Sequence, residues 1–338
     1  MDNWILTAPR ALVRQFQTES AITPTQVKVK VTHLLATNYD ALTYNGDIKA
    51  DYPKTIGRTA IGIVTEKGEK AYGVEKGARV YLEPTRPCRE CLNCKSGKTE
   101  DCSDVKTAGT DFDGFLRDFV VCEYTDVAPV PDSVDDMHAL CIENVALAEN
   151  IFNRLDLPQG AKVAIAGSGF TANIIAQIAL YHKLIPIVIC DEKGNLDRMK
   201  RCGVFYSFEY DDNIYANVAD ATSGAMCDAA VFTTCCTLDP AEISKLLANG
   251  KDFVLGGFAN VSFQFDSRPV FRKKLRVYSV TDGYDYTEVA INMLVHGAVN
   301  LDNFEKTVLS EFDPASILEE KLKTLSHSSS MTVLKLIF

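Results

Sequence analysis

The sequence predicts an α/β protein of two domains, and three observations carry that reading. Residues 1 to about 130 run in short alternating stretches such as "QVKVKVTHL" and "AIGIVTE", separated by Gly, Pro and Asp turns, the period-two pattern of half-buried strands. From "AKVAIAG" onward, short apolar runs at 161–166, 186–190, 228–233 and 252–256 alternate with helical stretches, the rhythm of a parallel sheet built from βαβ units. Between the two regions lies "SVDDMHALCIENVALAENIFNRLDL", whose apolar positions repeat with a helical period. With 338 residues, 46% of them hydrophobic, the chain is long enough to bury two ordinary cores.

Within the β-rich region, "PTRPCRECLNCKSGKTEDCS" at 84–103 places Cys88, Cys91, Cys94 and Cys102 as C-x2-C-x2-C-x7-C. Four thiolates from one loop can close a tetrahedron around zinc and leave no open position for water or substrate, so the site is a structural clamp. The remaining cysteines, Cys122, Cys141, Cys190, Cys202, Cys227, Cys235 and Cys236, mostly sit in apolar runs, where a thiol packs as a small hydrophobe. An odd total of eleven without a secretory leader argues for reduced thiols and a cytoplasmic protein.

In the second region, "KVAIAGSGFTANIIAQIALY" runs a strand into Gly167, Gly169 and Ala172 and continues directly as a helix. The first two glycines allow a tight turn and close approach of backbone to a pyrophosphate, and the third position needs only a small residue for helix–strand packing. The helix N-terminus offers free N–H groups and a partial positive charge to the phosphates. Asp191 ends the next strand about 20 residues on, where a carboxylate accepts ribose hydroxyls and repels a 2′-phosphate. This is a Rossmann dinucleotide-binding unit with NAD(H) favoured over NADP(H). The tail from about 285 holds one amphipathic helix, "YTEVAINMLVHG", and a closing strand, "MTVLKLIF".

Charge and hydropathy exclude other classes. A net charge of −10 without a Lys/Arg stripe repels a phosphate backbone, so nucleic acid is not a partner. The longest apolar stretch, "IIAQIALYHKLIPIVIC", is broken by His182, Lys183 and Pro186, so it reads as a helix followed by a strand and not as a membrane span.

The β-rich first region, the cysteine loop near residue 85 and the dinucleotide unit from about 160 together resemble the medium-chain dehydrogenase/reductase superfamily, the zinc-containing alcohol and polyol dehydrogenases. The resemblance implies a GroES-like partly open β-barrel catalytic domain over 1–148 and 285–338, and a Rossmann domain over 149–284. It also implies a small-molecule substrate, one structural zinc, and a homodimer or homotetramer. The family's catalytic zinc has its own ligand positions. "THLLATNYD" puts Ala36 where the family has Cys, "IGRTAIGIV" puts Arg58 and Thr59 where it has His and Glu, and "ALCIENVALAENIF" keeps Glu143. An alanine has no donor atom and an arginine brings a permanent cation, so no catalytic metal is expected, and an Arg58–Glu143 ion pair would fill its place.

"NYDALTYNG" resembles zinc-independent quinone and enoyl reductases of the same superfamily, and the terminal "TAPR" and "TVLKLIF" faintly resemble ribitol-phosphate dehydrogenases. The resulting expectation is an NAD(H)-dependent oxidoreductase passing hydride to or from a small carbonyl, enone or polyol without a catalytic zinc. Asn38, Tyr39, Arg58, Thr59 and Glu143 are its candidate catalytic residues. The alternative is an inactive NAD(H)-binding homologue serving as a sensor or partner subunit.

Overall fold

The computed structural model describes residues 2–16, 21–191, 195–233, 236–257, 266–324 and 330–336. They pack as two units. The first holds the chain up to Glu143 together with Lys306–Thr324 and the strand Met331–Lys335, and the second runs from Asn144 to Glu305.

In the first unit the ten-residue strand Gln26–Leu35 is central. Val27, Val29 and Val31 are fully buried, which is what the alternation in "QVKVKV" dictates for a strand with one face on a core. It pairs antiparallel along one side with Thr59–Lys67. Along the other side it pairs with Phe119–Glu123 at its start and Met331–Lys335 at its end. Among the described residues the sheet order is Val127–Pro129, Arg79–Leu82, Thr59–Lys67, Gln26–Leu35, Met331–Lys335, Lys306–Leu309. The last two strands are parallel, and between them in the chain runs the helix Pro314–Lys323, which packs against the helix Asn38–Asn45.

In the second unit the described strands form one parallel sheet in the order Tyr206–Glu209, Ile185–Cys190, Lys162–Ala166, Cys227–Thr233, Leu247–Gly256, Arg276–Val280. Numbered along the chain this is 3-2-1-4-5-6, the doubly wound order whose switch point lies between the first and fourth strands. Ala164, Ile187, Ala230 and Phe253 from four of these strands are completely buried in its core. Two strands escape a search for apolar runs. Tyr206–Glu209 is short and half-buried, and Arg276–Val280 is an edge strand whose first two residues are exposed.

The domain limits differ from those expected. The first break falls at Glu143/Asn144, inside the helix Ile142–Leu155, and the return comes at Lys306 instead of 285. The reason is packing. Helix Thr287–Val295 buries Ala290, Ile291, Met293 and Leu294. Its neighbourhood is tied to the second unit by bonds from Asn150 Nδ2 to Asp282 O and from Asn300 N to Gln177 Oε1, both at 2.7 Å. No described helix is long and apolar enough to cross a membrane.

Candidate active site

Three local devices aim the candidate residues of the first unit. Thr37 caps helix Asn38–Asn45 in a reciprocal capping box with Asp40, which puts Asn38 and Tyr39 in its first turn. Gly57 holds φ +102°, and a Cβ there would lie 2.7 Å from the backbone N of Leu116. Only glycine fits this turn, and it delivers Arg58 and Thr59 to the start of their strand. The register pairs Leu35 with Thr59 at the end of the ladder, just before Ala36. Glu143 arrives from the first turn of helix Ile142–Leu155.

These devices converge. Arg58 Nε donates to Glu143 Oε1, and Thr59 Oγ1 donates to Glu143 Oε2. The Arg58 guanidinium lies 4.8 Å from the centre of the Tyr39 ring, a cation–π arrangement. The Tyr39 hydroxyl shares a hydrogen bond of 2.9 Å with Thr110 Oγ1. Burial works against the Arg58 charge, but Glu143 together with the Tyr39 and Tyr81 side chains offsets it and holds the guanidinium above its ordinary value. Burial also raises the Tyr39 phenol and brings Asp40 up to about 6. Asn38 sits half-buried beside Tyr39 in the same helical turn. Tyr44, the other tyrosine able to carry a proton, is directed elsewhere, with its hydroxyl 3.3 Å from Glu319 Oε1.

The cysteine loop folds as a short helix, Leu92–Lys95, followed by a single 3₁₀ turn. The sulfur atoms of Cys88, Cys91, Cys94 and Cys102 all lie within 4.8 Å of one another, and those of Cys88 and Cys94 are 4.0 Å apart. Sulfurs bound at about 2.3 Å to one tetrahedral zinc are separated by about 3.8 Å, so the four fit that ion. Backbone N–H groups of Cys91 and Cys94 donate to the sulfurs of Cys88 and Cys91. Donation from Cys94 and Ser103 pulls the Cys91 thiol down to about 5, while desolvation and neighbouring thiols push Cys94 up to about 12. Holding all four as thiolates would need a dication between them.

Of the other cysteines, Cys122, Cys141, Cys190 and Cys227 are buried, whereas Cys202 and Cys236 are half-buried. Burial pushes the thiols of Cys122, Cys190 and Cys227 up to about 12. Cys235 lies outside the described residues.

In the second unit, strand Lys162–Ala166 ends at Gly167, and Gly169 is the N-cap of helix Phe170–Tyr181. Gly167 has φ +112°, and a Cβ there would sit 2.3 Å from Thr233 Oγ1, which itself donates to Ala166 O. Ala172 is buried in the first turn of that helix. Asp191 follows strand Ile185–Cys190 and accepts a 2.6 Å hydrogen bond from Ser168, the residue between the two glycines. The carboxylate therefore stands at the glycine turn.

Known proteins resemble this chain in both sequence and fold. Residues 23–132 match the family described as alcohol dehydrogenase GroES-like domain. Sorbitol dehydrogenase of Halalkalibacterium halodurans is 28% identical over 300 residues, covering 86% of this chain and 87% of that protein. A probable D-xylulose reductase A of Aspergillus fumigatus is 24% identical over 276 residues, 79% of this chain and 77% of its own. The structure of an Escherichia coli alcohol dehydrogenase, RspB, complexed with NADH, superposes with a TM-score of 0.85 at 19% identity over 99% of each chain. These likenesses support the medium-chain dehydrogenase/reductase superfamily.

Arg58, Thr59 and Glu143 meet here, and the guanidinium brings a fixed cation and no metal-donor atom to the group. Among the described residues, the cluster of three or more His, Cys, Asp or Glu side chains able to hold a metal is the cysteine loop. Several members of the site have no motif to announce them. Tyr81 is completely buried and its phenol is raised well above its ordinary value by burial and by Glu143. Thr110 meets Tyr39 across 71 residues. Asp40 alone had a local signal, the T-x-x-D of its capping box.

Proposed function

We propose that the chain is an NAD(H)-dependent oxidoreductase that passes hydride to or from a small carbonyl, enone or polyol, with Arg58 standing where relatives carry a catalytic metal. The observation that supports this most is the closure of the former ligand positions by Arg58, Thr59 and Glu143. The names of the relatives, a sorbitol dehydrogenase and a xylulose reductase, favour the polyol–ketose pair among these substrates.

Bound NAD(H) supplies or accepts the hydride. The turn at Gly167 and Gly169 and the N-terminus of helix Phe170–Tyr181 would receive its pyrophosphate, and Asp191 a ribose hydroxyl. An oxyanion developing on the substrate without a Lewis acid needs fixed donors or a cation. Arg58 stays charged at any working pH. Tyr39 keeps its proton at neutral pH because burial raises its phenol, and the Asn38 amide is a further donor. Thr59 gives its proton to Glu143, so its role is to fix that carboxylate against Arg58.

Turnover of NADH with quinones, enals and ketones, and of NAD⁺ with polyols, tests the proposal. A reaction with one of these classes, falling roughly 100-fold in kcat/KM on Arg58→Met and persisting with about one zinc per chain, is the expected result. Tight NADH binding with no turnover across the panel would favour the inactive sensor or partner subunit.

A further inference from the structure

The residues around Asp191 form a chain of hydrogen bonds that runs one way. Arg198 Nη1 donates to Asn195 Oδ1 at 2.9 Å, Asn195 Nδ2 donates to Ser168 Oγ at 2.9 Å, and Ser168 Oγ donates to Asp191 Oδ1 at 2.6 Å. The chemistry leaves no other direction. A guanidinium only donates, so it selects the oxygen end of the Asn195 amide and turns the NH₂ toward Ser168. Ser168, accepting there, must give its single proton to the carboxylate, which only accepts. Ser168 and Asn195 are 1% and 8% exposed, so water cannot take over either place.

The two oxygens of Asp191 are therefore unlike. Oδ1 is fixed from the interior by Ser168. Oδ2 meets the N–H of Thr237 at 3.2 Å and its hydroxyl at 3.4 Å, and Thr237 is exposed. The outer oxygen is the one a ligand hydroxyl can reach by displacing Thr237. Arg198 is held inward as well. Its Nε donates to Asn303 O at 3.2 Å, and its guanidinium lies 6.0 Å from the Phe304 ring. A cation so placed is withheld from a 2′-phosphate.

We infer that Ser168, aimed by Asn195 and Arg198, is a positioning residue that sets the preference of Asp191 for NADH over NADPH. The inference rests on the assignment of Asp191 to the cofactor ribose. Removing the Ser168 hydroxyl frees the carboxylate to rotate, and removing the Asn195 amide also releases one anchor of Arg198, which can then meet a 2′-phosphate.

Calorimetric titration of the full chain with NADH and with NADPH tests this in Ser168→Ala, Asn195→Ala, Asp191→Ser and the Ser168→Ala/Asp191→Ser double variant, with thermal melting alongside. Ser168→Ala is expected to weaken NADH about tenfold, the effect of one lost hydrogen bond to a charged group, and to leave NADPH nearly unchanged. Asn195→Ala should move the ratio the same way. In the Asp191→Ser background, Ser168→Ala should change the NADH affinity by less than about twofold, since coupled residues are not additive. A Ser168→Ala variant that binds both cofactors as wild type does, or weakens both equally, while Asp191→Ser narrows the preference, overturns the inference alone. If Asp191→Ser leaves the preference unchanged, the ribose assignment fails and the inference with it. Should Asn195→Ala not fold, the cycle of Ser168 and Asp191 decides.

Discussion

Arg58 and Glu143 lie 85 residues apart in the chain and meet as an ion pair in which the guanidinium is buried while the carboxylate keeps one face open, with side-chain exposures of 4% and 19%. A buried pair of this kind is costly to assemble, and its main energetic signature appears when one member is removed. The Tyr39 ring beside the guanidinium and the Thr59 hydroxyl on the carboxylate leave each charge little freedom to find another partner.

Removing one partner should therefore hurt more than removing both. Arg58→Met or Glu143→Gln alone is expected to cost about 3 kcal/mol, the price of an uncompensated charge. The double variant should cost clearly less than the sum of the two, because the residues interact directly. Urea denaturation of the three variants measures the coupling. Additive losses would show that the pair contributes nothing as a pair.

The cysteine loop predicts the metal content. Elemental analysis should find about one zinc per chain, held by four thiolates. Protons compete for those thiolates, so the zinc should be released as the pH falls. Cys91→Ser should lower thermal stability and zinc content together. Two tightly held zincs per chain would mean that the Arg58–Glu143 pair opens to accept a metal.

At the glycine turn, Gly167→Ala meets two obstacles, a φ of +112° and a Cβ placed 2.3 Å from Thr233 Oγ1. The backbone conformation alone should cost about 1–3 kcal/mol. Adding Thr233→Ala removes the collision but not the φ strain, so the double variant should recover part of the loss and no more. Full recovery in thermal melts would show that the turn tolerates a side chain.

His182 supplies a pH dependence. Its Nε2 lies 2.6 Å from Glu149 Oε2, and this hydrogen bond, against partial burial, raises the imidazole pKa above its ordinary value. The folded state thus holds the proton more tightly than the unfolded chain, whose histidine titrates near about 6.5. The stabilisation is complete below that pH and is lost as pH rises through the higher folded value. His182→Gln should cost more stability near about pH 5.5 than near about pH 9, by urea denaturation at both. An equal cost at the two would remove the charge from the account.

Much of this protein is written locally in its sequence. Cys88, Cys91, Cys94 and Cys102 lie within 15 residues, close enough that spacing alone brings four sulfurs to one point. The glycine turn is equally local, since the conformation at Gly167 and the capping place of Gly169 follow from a strand running directly into a helix. The two-domain α/β fold is visible because strand and helix periods recur along the chain. Ala36, Arg58 and Thr59 are legible by residue type as positions without a strong metal donor.

Tertiary structure decided what those residues do instead. The pairing of Arg58 with Glu143, the bond of Tyr39 to Thr110 across 71 residues and the chain from Arg198 to Asp191 join side chains whose spacing follows no period. The same holds for the late return of the chain at Lys306, since the helix Thr287–Val295, with its buried face, falls in the second unit. Secondary structure repeats because backbone geometry repeats. A hydrogen bond between buried side chains depends on where two distant backbones come to rest and on the water excluded around them, and neither is periodic in the sequence.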